Sequence, residues 1–275
     1  MSELQPAIKW SGSKRPIAKE IVESFPENID TYYEPFCGGC SVLYYLLNSE
    51  RKANKYICSD INNDLIDLWN TIKNNPNDVI ENYSKMWNEL QILSIADRRQ
   101  YFYDVRTRFN KEKSPYDFMF IMRTTTNGMP RYNKSGEFNN SFHITRGGIN
   151  PKEFAITIEK WSKLLNENNV EFVCQNYNNI ISNKEDVVYL DPPYAGTKGM
   201  YYGVIDYDKF WDWIKLQKGF VALSFDGKTT TTEYVDLVPK NIFKEHKLIC
   251  SGNSSFRRTI GKSSEEYVYE SLYTT

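Results

Sequence analysis

A Rossmann-like α/β core carrying an inserted, mostly helical, hairpin-bearing domain is the fold that the 275-residue sequence predicts. Three observations predict it. The chain opens with strand, glycine turn, helix and a second strand ending in an acid, as a nucleotide-binding α/β unit does. That alternation stops near residue 73 and resumes only near residue 168. Between those points the apolar spacing is helical, and the last part of the interval has the composition of a β-hairpin.

TYYEPF (31–36) reads as a strand, CGGC (37–40) as the turn after it and SVLYYLLNSE (41–50) as the following helix. KYICSD (55–60) is the second strand, and DLIDLWNTI (64–72) shows helical apolar spacing. From about 76 to 125, ENYSKMWNEL, RRQYFYDVRTRF and SPYDFMFIMRT continue as helices. In residues 126–148, NKSG marks a turn between two arms that contain aromatics. KEFAITIEKWSKLL (152–165) is helical again. VEFVC (170–174), DVVYLD (186–191), the helix DYDKFWDWIKL (206–216) and FVALSF (220–225) restore the α/β rhythm. KLIC (247–250) and EEYVYESLY (265–273) are expected as late antiparallel strands. The expected division is a core of residues 1–73 and 168–275, with 74–167 inserted.

A net charge of −1 gives no global field toward DNA or an anionic membrane, but the charge is uneven. Arg98 to Lys152 holds eleven Lys or Arg against four Asp or Glu, which suits local phosphate contact and equally a solvated helical face. The 20 Tyr, 15 Phe and 6 Trp either pack cores or present flat surfaces to bases and cofactor rings. Five cysteines in a chain this long form no disulfide framework, and Cys37 and Cys40 have no second pair or nearby histidine to complete a zinc site, so no metal is expected. Cys174 and Cys250 read as core residues of apolar strands. No apolar run approaches 18 residues and no signal peptide is present, so a cytoplasmic, non-membrane protein is expected.

Three clusters carry chemistry. In EPFCGGCS (34–41), Gly38 and Gly39 let the backbone turn tightly and approach a ligand, although the run is neither GxGxxG nor GxxxxGK[ST]. Asp60, 22 residues beyond Gly38, suits the two hydroxyls of a ribose, or alternatively caps a helix before Asn62 and Asn63. DPPY (191–194) puts an acid, two prolines and an aromatic at the mouth of the same predicted sheet. Asp191 accepts a hydrogen bond from an amino group, Pro192 and Pro193 fix carbonyls in a rigid segment, and Tyr194 offers a face to an unstacked base. The bland alternative is a strand-ending turn with a packed tyrosine.

Taken in order, KWSGSKR (9–15), EPFCGG, SDIN (59–62), NGMPRYNKSGEF (127–138), DPPY and RRTIGKSSEEYVY (257–269) resemble the D12 class of DNA adenine-N6 methyltransferases, the Dam-like enzymes, over nearly the whole chain. The resemblance implies an S-adenosylmethionine-dependent methyltransferase core, the inserted domain serving DNA recognition. It implies that Trp10, Gly12, Lys14, Glu34, Phe36, Gly38, Gly39, Asp60 and Asp191 contact S-adenosylmethionine. It further implies that Asp191, Pro192, Pro193 and Tyr194 hold a flipped adenine. Lys9, Asn127, Met129, Arg131, Tyr132 and Lys134 are implied as contacts to double-stranded DNA, and Arg123 and Arg146 are expected to join them beside the aromatic-rich hairpin. The chain departs from the family pattern at Ser13, at Cys40 in place of a third glycine, and at FNNSFH (138–143). The resemblance suggests a GATC-like target, and association with a restriction endonuclease and a monomer or weak homodimer are the expected settings. Amino methylation of cytosine or RNA shares this pocket chemistry. A binding module with a vestigial cofactor fold would keep the fold without turnover, and an NAD-dependent oxidoreductase lacks its fingerprint here.

Overall fold

The computed structural model describes residues 5–145, 147–193, 205–228, 238–253 and 267–275. In chain order its elements are α1 (Ala18–Glu23), β1 (Asn28–Glu34), α2 (Ser41–Asn48), β2 (Lys52–Asp60), α3 (Asn63–Asn74), α4 (Pro76–Gln91), α5 (Ile95–Glu112) and α6 (Pro115–Thr124). They continue with α7 (Pro151–Glu167), β3 (Val170–Cys174), β4 (Val187–Leu190), α8 (Tyr207–Lys215), β5 (Phe220–Lys228), β6 (Glu245–Asn253) and β7 (Tyr267–Thr274). The described residues divide into two compact units, one containing those up to Gly12 and Asp60–Cys174, the other Ser13–Ser59 and those from Gln175 onward.

The second unit holds the α/β core, and its strands follow one another as β2-β1-β4-β5-β7-β6. β1 pairs in parallel with both β2 and β4, and β4 pairs in parallel with β5. The last two strands run antiparallel, β7 lying between β5 and β6. All four residues of β4, VVYL, are buried, the signature of a central parallel strand covered on both faces. On α8, Asp206 caps the start by accepting from the Lys209 amide, and Phe210, Trp211, Trp213 and Ile214 turn inward against Val188, Leu190, Val221 and Leu223. These aromatics therefore serve the core. The order of parallel strands leaves the carboxyl ends of β1 and β4 side by side, where an open α/β sheet binds its ligands.

The first unit is mostly helical and larger than the interval 74–167. Its α3 buries Leu65, Ile66, Leu68, Trp69 and Ile72 and packs against α6 and α7. The Trp69 indole stacks on Phe172 with ring centroids 5.3 Å apart. The segment before Ser13 also joins this unit, because its backbone carbonyls are claimed by the insertion. Trp161 donates its indole N–H to the Gln5 carbonyl at 3.0 Å, and Arg123 donates to the carbonyls of Pro6 and Ala7. A sequence pattern registers periodicity but not which carbonyls a distant side chain will satisfy.

Arg123 is thus corrected from DNA contact to internal brace: the guanidinium is only 8% exposed and its hydrogen bonds go to the N-terminal backbone. Other cations of the basic interval are used in the same way. Arg108 makes a two-pronged contact with Asp117 at 2.6 and 2.8 Å, Arg98 donates to the carbonyls of Leu93 and Gln91, and Arg106 donates to that of Asn140. The cysteine reading is also corrected. Cys174 and Cys250 are exposed, whereas Cys37, Cys40 and Cys58 are buried, since β3 and β6 each turn part of their length to solvent. Replacing Arg123 by methionine leaves two carbonyls without their donor and should cost on the order of 2–4 kcal/mol. Thermal unfolding reads that loss, while the salt dependence of DNA binding should not change, as it would on losing a phosphate contact.

Candidate active site

In the second unit, β1 ends on Glu34 and β4 ends one residue before Asp191. Lys14, just ahead of a short 3-10 turn over Arg15–Ile17, is buried with its ammonium 2.8 Å from Asp191 Oδ1 and 3.4 Å from Glu270 Oε2 on β7. Burial by itself would lower the lysine pKa, but the two carboxylates outweigh it and hold Lys14 above its ordinary value, fully cationic. Burial acts the other way on Asp191 and raises it to about 6, the Lys14 charge opposing the shift and the Glu270 charge adding to it. Asp226, paired with Glu270 across β5 and β7, is raised to about 6 chiefly by burial. Glu34 is pushed up to about 8 by burial, against the Tyr32 hydroxyl that donates to its Oε2 at 2.8 Å. One buried cation therefore sits among carboxyl groups whose protons are held to different degrees.

The prolines place carbonyls as well as stiffening the chain. Pro192 is buried, and the Pro193 carbonyl accepts the Tyr207 hydroxyl at 2.6 Å, which pins the segment following Asp191 to the start of α8. Tyr194 lies outside the described residues. In the glycine turn, Gly38 has a φ of 44° and Cys40, at the start of α2, a φ of 54°. The left-handed backbone at Cys40 is the conformation a glycine adopts without penalty, which accounts for the family's third glycine here. The Cys40 side chain is accommodated by burial against Cys37 and Cys58. The turn is held to β2 by the Cys37 amide donating to the Ser59 carbonyl at 3.1 Å. Phe36 is half-buried against Tyr177 and Phe210, and Gly39 is half-buried.

In the first unit, Asp60 ends β2, and its Oδ1 accepts the Asn62 amide at 2.9 Å. The cap of α3 is Asn62, whose side chain accepts from the Leu65 amide, so Asp60 is not itself the helix cap. Trp10 is half-buried and Gly12 exposed with a φ of 79°. Lys9 donates to the Thr125 carbonyl at 3.0 Å, and the Ser11 amide donates to the Gly128 carbonyl. Asn127 and Gly128 are both left-handed, with φ of 58° and 63°, and a Cβ on Gly128 would lie 2.8 Å from the Lys9 carbonyl oxygen. The hairpin forms as its composition implies: Tyr132 and Phe138 bridge, and the Gly136 amide closes the turn on the Asn133 carbonyl. Arg131, Lys134 and Asn127 are exposed and Met129 half-buried. The Tyr132 hydroxyl is turned toward α3, donating to Asp64 Oδ2 at 2.8 Å and accepting from the Asn62 side chain at 3.4 Å. Arg146 lies outside the described residues.

A family model for D12 class N6 adenine-specific DNA methyltransferases matches residues 10–251. The chain belongs to that family. The type II methyltransferase M.MjaIII of Methanocaldococcus jannaschii is 37% identical over 207 residues, 70% of either chain. The DNA adenine methylase of Escherichia coli strain K12 is 31% identical over 194 residues, 68% of this chain and 64% of that one. A solved rRNA methyltransferase, AviRa from Streptomyces viridochromogenes, aligns over 92% of this chain and 82% of its own with 12% identity and a TM-score of 0.36, too low to carry the fold, which rests on the strand order. No helix among the described residues of this D12 chain is long and apolar enough to cross a membrane.

Motif reading missed Glu270, Asp226 and Tyr207. Glu270 and Asp226 sit inside strands, where an acid every few residues reads as a solvated face, and only the pairing of β5 with β7 places them together. The Glu34 assignment makes a stability prediction. Between pH 4.5, its ordinary value, and about 8, folded Glu34 keeps a proton that the unfolded chain has lost, so its burial lowers stability progressively as pH rises through that window. Thermal unfolding of a Glu34→Gln variant should fall less steeply than that of the parent between pH 5 and 8, and coincide with it in slope below pH 4.

Proposed function

We propose that this chain transfers a methyl group from S-adenosylmethionine to the N6 amino group of adenine at a short specific sequence in double-stranded DNA, the base being flipped out of the duplex. The observation that carries the reading is the largely shielded, Lys14-paired Asp191 carboxylate at the carboxyl end of β4, followed by two prolines, in a chain of the D12 family.

The residues present fit the cofactor by their chemistry. Glu34 and Asp60 supply acceptors at the ends of β1 and β2, the left-handed glycine turn brings backbone close without side chains, and the buried Ser59 hydroxyl lacks a partner among the described residues. We assign the contacts to Trp10, Gly12, Lys14, Glu34, Phe36, Gly38, Gly39, Asp60 and Asp191. When bound, S-adenosylmethionine supplies a methyl carbon already activated by its sulfonium.

The chain's own contribution is alignment and electrostatics. Asp191 and the Pro192 carbonyl accept the two hydrogens of the amino group. This aims the nitrogen lone pair at the methyl carbon and withdraws its delocalisation into the ring. Tyr194 stacks on the base. As the N–C bond forms, the C–S bond breaks with its electron pair on sulfur, so that S-adenosylhomocysteine would leave; the methylated nitrogen then loses one proton through Asp191 or to solvent, so no strong base is needed beforehand. Asn127, Met129, Arg131 and Lys134, with Lys9 and Arg146, contact the DNA; Tyr132 contributes by holding the hairpin. The Dam-like motifs support a GATC-like target, and functional association with a restriction endonuclease is part of the proposal, supported by a relative named as a type II methyltransferase. The protein acts as a monomer or weak homodimer in the cytoplasm.

Labelled S-adenosylmethionine incubated with unmethylated genomic DNA should yield N6-methyladenine at one short sequence on nucleoside analysis and site mapping. Label in N4-methylcytosine or only in RNA would overturn the substrate, and no label in either would overturn the reaction. Asp191→Ala should lower the single-turnover rate by about 10²–10³-fold with DNA affinity nearly unchanged. In the parent, protonation of Asp191 removes an acceptor, so the rate should fall as pH drops through about 6 and stay level above it.

A further inference from the structure

Resting on this reading of Asp191, we infer that Glu270 is a positioning residue: it is a second seat for the Lys14 ammonium, which releases Asp191 Oδ1 to the incoming amine. The mechanism asks Asp191 to accept from the amino group, yet its Oδ1 already holds Lys14 at 2.8 Å. A buried ammonium cannot simply be set free, because an unpaired charge in the interior is costly. Glu270 Oε2, 3.4 Å from the same Nζ, lies within a small side-chain rotation of taking it over. Its seat is rigid. Glu270 belongs to the middle of β7, paired with Asp226 on β5 on one side and Ile249 on β6 on the other. Both acids are largely shielded, Asp191 at 21% and Glu270 at 17% side-chain exposure, so the contest for Lys14 takes place with weak solvent screening. The ionisable groups facing the pair among the described residues are Glu34 on β1, Tyr189 on β4, Asp226 on β5 and Glu270 on β7.

Removing the second seat has a consequence of definite sign. With Glu270→Gln, Lys14 stays on Asp191, which both blocks the acceptor and favours its ionised form. The plateau rate falls, and the acid limb moves to lower pH because Glu270 no longer raises Asp191.

The test is single-turnover methyl transfer as a function of pH for the parent, Glu270→Gln, Glu270→Asp and Asp191→Asn, with DNA and S-adenosylmethionine affinities measured alongside. The expected result for Glu270→Gln is a plateau rate about tenfold lower, affinities within about twofold, and an acid limb about half a unit lower, with Glu270→Asp recovering part of the rate. An unchanged rate and limb in Glu270→Gln, while Asp191→Asn is inactive, overturns the seat and leaves the active-site reading standing. A lowered rate with an unmoved limb and no recovery in Glu270→Asp also overturns it, since simple destabilisation behaves that way. Full activity in Asp191→Asn overturns both.

Discussion

A lysine ammonium 2.8 Å from an aspartate at the end of a fully buried strand sets the terms for the α/β unit. The buried ammonium needs an anionic partner, because an unpaired charge in the interior is costly, and Glu270 Oε2 stands 3.4 Å from the same nitrogen. The strand order answers that requirement. β1 and β4 run parallel and deliver Glu34 and Asp191 to one end of the sheet, and the antiparallel β7 brings Glu270 from the other side. The prolines after Asp191 and the Tyr207 hydroxyl on the Pro193 carbonyl then keep the acid from relaxing away from its partner.

The helical unit is built on a different economy of polar groups. Its cations look like a surface prepared for phosphate, but Arg98, Arg106, Arg108 and Arg123 satisfy carbonyls or a carboxylate of the unit itself. Exposed cations remain on the hairpin, at Arg131 and Lys134, as they do on the helices at Arg99, Lys111, Lys113 and Lys152. Under the proposed function the hairpin supplies contacts to DNA. The left-handed pair Asn127–Gly128 supports it by letting the backbone of residues 9–11 lie directly against the base of the hairpin.

Much of this was legible in the residues. The terminal acids Glu34, Asp60 and Asp191 were legible because each closes an apolar run that reads as a strand. The NKSG turn was legible because glycine and asparagine supply the backbone conformations it needs. Other features depend on tertiary contacts that local pattern cannot carry. Arg123 is followed by three threonines and a hairpin, and nothing nearby signals that Pro6 and Ala7 will claim it. Cys174 and Cys250 sit in apolar-looking strands, yet the exposure of β3 and β6 follows from what covers each strand and not from its composition. The compact helical unit gains residues 60–73 because α3 buries its apolar face on α6 and α7. Lys14 carried a cofactor role by motif, and only the ion pair reveals its hold on Asp191.

Asp191 is a largely shielded, Lys14-paired carboxylate whose proton is held more tightly than usual, ionised at neutral pH and ready to accept from an amine. Titration of carbon-13-labelled aspartate carboxyls by NMR, with Asp191→Asn and Asp226→Asn used for assignment, measures this directly. The account predicts a resonance titrating at about 6 that vanishes on substitution of Asp191. An Asp191 carboxyl that titrates in the ordinary range near 4 would contradict it, because burial would then not be holding the proton against the Lys14 charge.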